Sequence, residues 1–230
     1  MSKKKKEAAP EQFETVENVL SKSEQFIENN QKTLTTIVLV ILILVAGFLA
    51  FNRYYKTPME EEAQGQMFRA EQYFAQDSFQ LALNGDGNYL GFLDIIDEYG
   101  ITKSANLANY YAGISYLKTG QYNQAIEYLD DFKTKDDILE PLKHGAIGDA
   151  YLELGEDDKA LKFYNKALKE ENEFTTPLFM SKAAFVYELQ EEFEEAIELY
   201  EEIKLKYPDS RQEEEANKSI TRLTIRKHNS

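Results

Sequence analysis

The sequence predicts an all-α protein in which a single N-terminal transmembrane helix is followed by an α-solenoid. Three observations support this prediction. An uncharged apolar run extends from Leu34 to Phe51. After it, the chain is rich in Ala, Leu, Glu, Lys and Tyr, and its apolar residues recur every three or four positions, as they do on amphipathic helices. Finally, the second half of the chain repeats one pattern about every 35 residues, which is typical of solenoids.

The apolar run reads LTTIVLVILILVAGFLAF. A helix of this length rises about 27 Å, close to the roughly 30 Å hydrocarbon core of a bilayer. The run has no polar face, which argues against a buried helix of a soluble domain. A cleaved signal peptide would lie closer to the N-terminus and would end at small residues. We therefore expect an uncleaved anchor that spans residues 34–52.

The distribution of positive charge predicts the orientation of this anchor. Four lysines occupy positions 3–6, whereas Lys22 and Lys32 before the span are balanced by Arg53 and Lys56 after it. Cytoplasmic flanks usually carry the excess of positive charge. We therefore expect a cytoplasmic N-terminal tail and a C-terminal domain on the opposite side of the membrane. The alternative is the reverse orientation, in which the domain would be a cytosol-facing receptor.

The tail of residues 1–33 is itself patterned. Its apolar residues recur every three or four positions from Phe13 to Ile27, which predicts an amphipathic helix from Glu11 to about Asn29. The polar face of this helix is acidic, so an anionic lipid surface is an unfavourable partner. Contact with the membrane and contact with a protein partner both remain open.

Composition excludes several classes of function. Residues 57–230 contain eighteen Lys/Arg and thirty-five Asp/Glu, a net charge of −17 that repels nucleic acid. There is no cysteine for a disulfide or a thiolate metal site. Of the two histidines, His144 occupies a helix-packing position and His228 is close to the C-terminus. No phosphate loop or metal-ligand spacing is present. We expect no enzymatic activity, no cofactor, no metal and no small-molecule substrate.

Three segments carry the repeated pattern, at 109–129, 144–164 and 180–200. A small residue on the first helix of each pair lets the second helix approach closely, and the second helix presents an alanine at the contact. A glycine in the turn accepts a positive φ and ends the first helix. The corresponding residues are Gly113, Gly148 and Ala184 on the first helices, Gly120, Gly155 and Glu191 in the turns, and Ala125, Ala160 and Ala196 on the second helices.

This pattern resembles the tetratricopeptide repeat, with three copies over residues 106–210. Residues 57–105 are expected to form a degenerate repeat-like helix pair, with Phe79 near the end of the first helix and a turn around residues 84–87. Residues 211–230 are expected to form a capping helix with one apolar stripe and one charged face.

The resemblance also implies a partner-binding surface, because the first helices of tetratricopeptide arrays line a concave face. Most residues that this register places there are apolar, which suggests a groove with an acidic rim for extended apolar segments or a partner helix. The alternative is that tight curvature or the C-terminal helix fills the groove. The residues are Leu107, Tyr110, Ile114, Leu117, Leu142, Asp149, Leu152, Leu178, Phe185, Glu188 and Leu189.

The order of an amphipathic lead, one span and acidic repeat-like helices is similar to the YfgM-like family, the ancillary subunits of the SecYEG translocon. The stretch YLGFLDIIDEYGITKSANLANYYAGISYL (89–117) is the most family-like part. The resemblance implies an anchor in the bacterial inner membrane and a domain on its outer, periplasmic side. That domain binds the translocon and a membrane-anchored periplasmic prolyl isomerase, and it helps to hand over emerging chains as a chaperone does. A structural adaptor of another envelope complex, in division or wall synthesis, is the alternative.

Overall fold

The computed structural model describes residues 24–228, and every regular element in this range is helical. The chain divides into two compact units, residues 1–57 and 58–230. In the first unit, residues 24–29 are helical and are followed by α1 (Gln31–Phe51) and a π-helical turn (Asn52–Lys56). Most of the predicted tail helix, up to residue 23, lies outside the described residues.

The apolar run forms α1, and its side chains are exposed. Within the described range, one continuous helix, Gln31–Ala75, is long and apolar enough to cross a membrane. The π-helical turn directly follows the apolar run. There the backbone N–H and the hydroxyl of Thr57 both donate to the carbonyl oxygen of Asn52, the hydroxyl at 2.8 Å.

The second unit is a series of helix pairs. Helices α5 and α6, α7 and α8, and α9 and α10 each form a hairpin, and each hairpin packs on the next. Helix α11 packs on α10 through Ala216, Ser219 and Leu223 and turns charged residues outward, as expected of a cap. The helices are α2 (Thr57–Ala75), α3 (Phe79–Asn84), α4 (Phe92–Glu98), α5 (Lys103–Lys118), α6 (Tyr122–Asp131), α7 (Leu139–Glu153), α8 (Asp157–Ala167), α9 (Thr176–Leu189), α10 (Phe193–Lys206) and α11 (Glu213–His228).

The segment before the first hairpin has three helices instead of the expected pair. The first helix ends at Ala75, Asp77 takes a positive φ of 55°, and Phe79 begins the short α3 instead of extending α2. The three helices enclose a core in which Phe92 is fully buried and stacks on Tyr111 at 5.1 Å. These aromatic contacts join the segment to α5.

Glu60 joins the start of α2 to the start of α5. Its carboxylate accepts hydrogen bonds from the backbone N–H groups of Lys103 (2.6 Å) and Ser104 (3.1 Å) and from the Ser104 hydroxyl (2.7 Å). Burial alone would raise the pKa of Glu60, but these hydrogen bonds outweigh it and the pKa is lowered. A carboxylate distant in sequence therefore caps the N-terminus of α5.

The close helix contacts predicted from the small residues are confirmed. A methyl group added at Gly113 would lie 2.5 Å from the side chain of Leu129, and one added at Gly148 would lie 2.6 Å from the ring of Tyr164. Ala184, at the equivalent position of the third hairpin, is fully buried. The structure therefore leaves no room for a larger side chain at either glycine.

The turns of the three hairpins share one backbone conformation. Gly120 and Gly155 have φ values of +76° and +72°, as predicted for turn glycines. Glu191 adopts the same conformation with φ +60°, although it has a Cβ atom that disfavours this region. The third turn is therefore strained where the first two are not.

Gly148→Ala is expected to destabilise the protein by about 1–3 kcal/mol, because the new methyl group would displace the Tyr164 ring. Gly65→Ala is the matched control, since Gly65 is a helical glycine with open space around it; this change should stabilise by up to about 1 kcal/mol. Denaturant unfolding of the purified protein in detergent measures both changes. Equal effects at the two positions would contradict the close contact.

Glu191→Gly is expected to stabilise the protein by about 0.5–1 kcal/mol. Release of the left-handed strain, about 1–2 kcal/mol, exceeds the greater entropy that glycine has in the unfolded chain. The control is Gly155→Ala, which should destabilise by a similar amount, because a Cβ there meets no atom and only the backbone conformation opposes it. The same unfolding measurement applies, and a loss of stability in Glu191→Gly would contradict the backbone strain at this position.

Candidate functional site: a groove between the first helices and the C-terminal helix

A groove of about 1010 Å³ opens between the first helices α5, α7 and α9 on one side and α11 on the other. Six of the eleven residues predicted for the concave face line it: Leu117, Asp149, Leu152, Leu178, Phe185 and Glu188. The other five do not. Leu107, Tyr110, Ile114 and Leu142 pack against buried clusters between the helices, and Leu189 is half exposed at the end of α9.

The groove is accessible. Phe185 is 47% exposed and Leu189 is 52% exposed, so neither is covered by the later helices. Helix α11 does not fill the groove, because Ile220 and Leu223 pack into the cluster around α10. Instead, one wall of the groove is formed by Arg211, just before α11, and by residues along the first ten positions of that helix, among them Ser219 and Arg222.

The floor of the groove contains a network around Asp149. The hydroxyl of Tyr164, on α8, donates to Oδ1 of Asp149, on α7, at 2.8 Å. The ammonium group of Lys182, on α9, contacts the same oxygen at 2.6 Å. One carboxylate therefore joins both helices of its own hairpin to the first helix of the next.

A second network, also made of a tyrosine, a carboxylate and a cation, surrounds Glu188. The hydroxyl of Tyr200, on α10, donates to Oε1 of Glu188, on α9, at 2.9 Å. The guanidinium group of Arg222, on α11, donates to both carboxylate oxygens, at 2.8 and 3.1 Å. Glu188 lines the groove but is only 8% exposed, because its carboxylate is held by these two partners. Burial of an acid next to a tyrosine and an arginine explains why it is held in the wall.

We call these two networks the charge ladder: Tyr164–Asp149–Lys182 and Tyr200–Glu188–Arg222. Each consists of a tyrosine from a second helix, a carboxylate from the first helix of the same hairpin and a cation from the next first helix. Helix α11 thus occupies the place of a further first helix. The first hairpin has no such network, since Leu129 stands at the position of the two tyrosines.

The ladder also changes the acid–base properties of its tyrosines. Burial, followed by the nearby Asp149 carboxylate, raises the pKa of Tyr164 far above its ordinary value. Burial and the hydrogen bond to Glu188 raise the pKa of Tyr200 in the same way. Both phenols therefore remain hydrogen-bond donors through the physiological pH range.

The lining of the groove has a balanced charge, and the acidic rim stays a prediction. The lining contains four Lys/Arg and four Asp/Glu residues, so the groove is balanced although the surrounding domain is strongly acidic. Composition could not reveal this, because the cations come from helices that are distant in sequence. The in-register pair Tyr164 and Tyr200 was a usable signal, since a tyrosine buried at a helix contact needs a partner for its hydroxyl.

His144 is the other residue that the sequence analysis considered. It is partly buried, and its ring lies 6.1 Å from the ring of Phe163. Burial, followed by the neighbouring Lys143 and Lys166, lowers the pKa of His144. Within residues 24–228, no group of three or more His, Asp or Glu side chains is placed to hold a metal ion.

Comparison with known families agrees with the helix hairpins. Residues 107–136 and 180–210 match one tetratricopeptide-repeat model, and residues 144–174 match another. The chain contains tetratricopeptide repeats. The matched segments lie within residues 106–210, whereas the limits of the flanking segments remain predictions. No curated protein matches the sequence significantly.

Two solved structures share the repeat fold. The crystal structure of MamA protein has a TM-score of 0.59 and 20% identity, and the match covers 73% of this chain and 84% of that chain. A crystal structure of nearly identical TPR-like repeats from a Podosopora anserina putative kinesin light chain has a TM-score of 0.56 and 16% identity, and the match covers 71% of this chain and 85% of that chain. At this identity the likeness establishes the fold alone, and the resemblance to the YfgM-like family is not confirmed.

Stability should fall above about pH 10, where an unfolded tyrosine ionises but Tyr164 and Tyr200 do not. Below that pH both states keep the protons and stability is unaffected; above it the unfolded state loses them first, so the free energy of unfolding decreases. The double variant Tyr164→Phe/Tyr200→Phe should be less stable at neutral pH, by about 1–3 kcal/mol, through the loss of its hydrogen bonds to carboxylates. Its deficit should shrink at alkaline pH. Denaturant unfolding across this range measures it, and a constant deficit would contradict the raised pKa values.

Proposed function

We propose that this protein is a non-enzymatic, membrane-anchored interaction module, in which α1 is the anchor and the groove of the repeat domain binds a partner. The accessible groove on a tetratricopeptide array is the observation that carries this proposal. Phe185 and Leu189 are apolar, half exposed and adjacent on one face of α9, which is uncommon on a solvated helix of so acidic a domain. Tetratricopeptide domains bind partner proteins in general, and an open groove of this size supports the same role here.

The finer proposal is that the protein is an ancillary subunit of the SecYEG translocon. The repeat domain would lie in the periplasm and bind the translocon, a membrane-anchored prolyl isomerase or emerging chains, in the manner of a chaperone. The lysines at positions 3–6 support an anchor with a cytoplasmic N-terminus in the bacterial inner membrane. The order of anchor and acidic repeats, which is similar to that of the YfgM-like family, supports the choice of partner.

Site-specific cross-linking in intact cells tests this proposal. A photoreactive phenylalanine derivative at position 185 should form adducts with a translocon subunit or the prolyl isomerase, because that side chain is exposed in the groove. The matched control is position 174, where Phe174 is 78% exposed but does not line the groove. Adducts are identified by mass spectrometry.

The outcomes separate the alternatives. Adducts with division or wall-synthesis proteins would favour a structural adaptor, and adducts with cytosolic proteins would reverse the proposed orientation. Identical adducts at positions 174 and 185 would refute the groove as the binding surface.

A further inference from the structure

We infer that one edge of the repeat domain rests on the interface of a zwitterionic lipid bilayer through three apolar side chains, Ile101, Ile138 and Phe174. We call these three residues the apolar row. The inference rests on the proposed function, in which α1 is a membrane anchor, and adds a second contact with the same membrane. This contact lies outside the groove and determines which edge of the domain faces the lipid.

The apolar row occupies corresponding positions in the three hairpins. Each of its residues lies one or two positions before the first helix of a hairpin, in the loop that precedes α5, α7 or α9. Ile101, Ile138 and Phe174 are 47%, 38% and 78% exposed. A single exposed apolar residue is ordinary on a protein surface, whereas one in each successive loop along the same edge indicates a common role.

Hydrogen bonds between the loops keep the row on one continuous edge. The side-chain amide of Asn106, near the start of α5, donates to the carbonyl oxygen of Lys133 at 2.8 Å, and the N–H of Lys133 donates to Oδ1 of Asn106 at 2.9 Å. The side-chain amide of Asn172 donates to the carbonyl oxygen of Asp137 at 3.2 Å. The loops before α7 and α9 are therefore attached in series to the start of α5.

The loop before α9 holds Phe174 in solvent. Oδ1 of Asn172 accepts hydrogen bonds from the N–H of Phe174 at 3.0 Å and from the N–H of Thr175 at 2.7 Å. The side-chain amide of Asn172 also donates to the hydroxyl of Thr175, which is buried. The turn is thus fixed while the phenyl ring stays outside, so little backbone entropy is lost when the ring enters another phase.

The anchor joins the domain at this same edge. The π-helical turn after α1 ends at Lys56, and Glu60 follows four residues later near the start of α2. The carboxylate of Glu60 is hydrogen-bonded to the start of α5, directly after the loop that contains Ile101. With α1 in a bilayer, the edge that carries the apolar row begins next to the lipid surface. Lipid is therefore the apolar phase closest to these side chains.

Charge determines which lipid fits. Residues 57–230 carry a net charge of −17, which repels anionic headgroups. The loop of residues 99–102 has no charged residue, residues 132–138 contain two lysines and two aspartates, and residues 168–175 contain one lysine and three glutamates. The row thus lacks the cationic surroundings that recruit a protein to anionic lipid. A zwitterionic surface imposes no such repulsion, and the anchor supplies the high effective concentration that a small apolar contact needs.

Fluorescence quenching on the full-length protein in zwitterionic lipid nanodiscs tests the inference. The chain has no cysteine, so a single introduced cysteine carries the fluorophore at one defined position. Glu173→Cys reports next to the row, and Glu192→Cys, at another exposed glutamate beyond the far end of α9, is the matched control. Because α9 is about 20 Å long, lipids with a nitroxide near the headgroup should quench the fluorophore several-fold more at position 173 than at position 192.

Variants in the Glu173→Cys background locate the contact. Loss of the row should reduce the quenching to the level of position 192, because the apolar burial is lost. Phe174→Ser alone should cause a smaller decrease, whereas Phe185→Ser/Leu189→Ser, at exposed apolar residues outside the row, should leave the quenching unchanged. Denaturant unfolding verifies that each variant is folded. The full substitution of the row is Ile101→Ser/Ile138→Ser/Phe174→Ser.

The lipid composition provides a test without any change in the row. Replacement of part of the zwitterionic lipid by anionic lipid should decrease the quenching at position 173 at low salt, and added salt should restore it, because the repulsion is screened. An increase in quenching with anionic lipid would contradict the choice of lipid.

Each contrary result overturns the inference. Equal quenching at positions 173 and 192 would leave the row in water, and quenching that survives loss of the row would assign the contact to other groups. Shielding from an aqueous quencher without quenching by lipid would identify a second copy of this chain as the occupant. A fluorophore at Phe48→Cys, within α1, judges the anchor separately. If lipid quenches it but not position 173, the inference alone fails, and if lipid does not quench it, the proposed anchor fails as well.

Discussion

The close approach of α7 and α8 at Gly148 determines much of what surrounds the groove. Because Gly148 has no side chain, the ring of Tyr164 lies directly against the α7 backbone. The Tyr164 hydroxyl then reaches the carboxylate of Asp149, the next residue of α7. Asp149 in turn holds Lys182 of the following hairpin. The packing contact between α7 and α8 thus positions a polar network that also includes α9. The spacing of α7 and α9 depends on this network.

The second network of the ladder explains why the groove stays open at its C-terminal end. Without a partner, a charge buried as deeply as Glu188 would be costly, and Arg222 supplies the partner from α11. Lys227 of the same helix contacts Glu194 on α10 at 2.5 Å, so α11 is attached along its length. These contacts hold α11 against α10, where it forms one wall of the groove. An apolar helix without such contacts would be free to lie in the groove.

The sequence revealed the hairpins because their signals are local. Gly113 and Gly148 lie at fixed offsets from the turn glycines, and the structure confirms their close contacts. The break before Phe79 was missed, since α3 is held mainly by packing against helices elsewhere in the chain. The ladder was missed for a related reason. Each of its networks joins three helices. The sequence of one helix does not distinguish an exposed carboxylate from a carboxylate that pairs with a cation about 34 residues away.

The repeat domain has an acidic surface and a groove in which cations and carboxylates are balanced, and this difference bears on function. Outside the groove, the acidic side chains of residues 57–230 repel anionic lipid headgroups, so the proposed anchor rather than surface attraction would keep the domain near a membrane. Anchoring also raises the effective concentration of any partner in the same membrane, so a groove of modest affinity can remain occupied. The acidic surface and the balanced groove therefore present different charges to an approaching ligand.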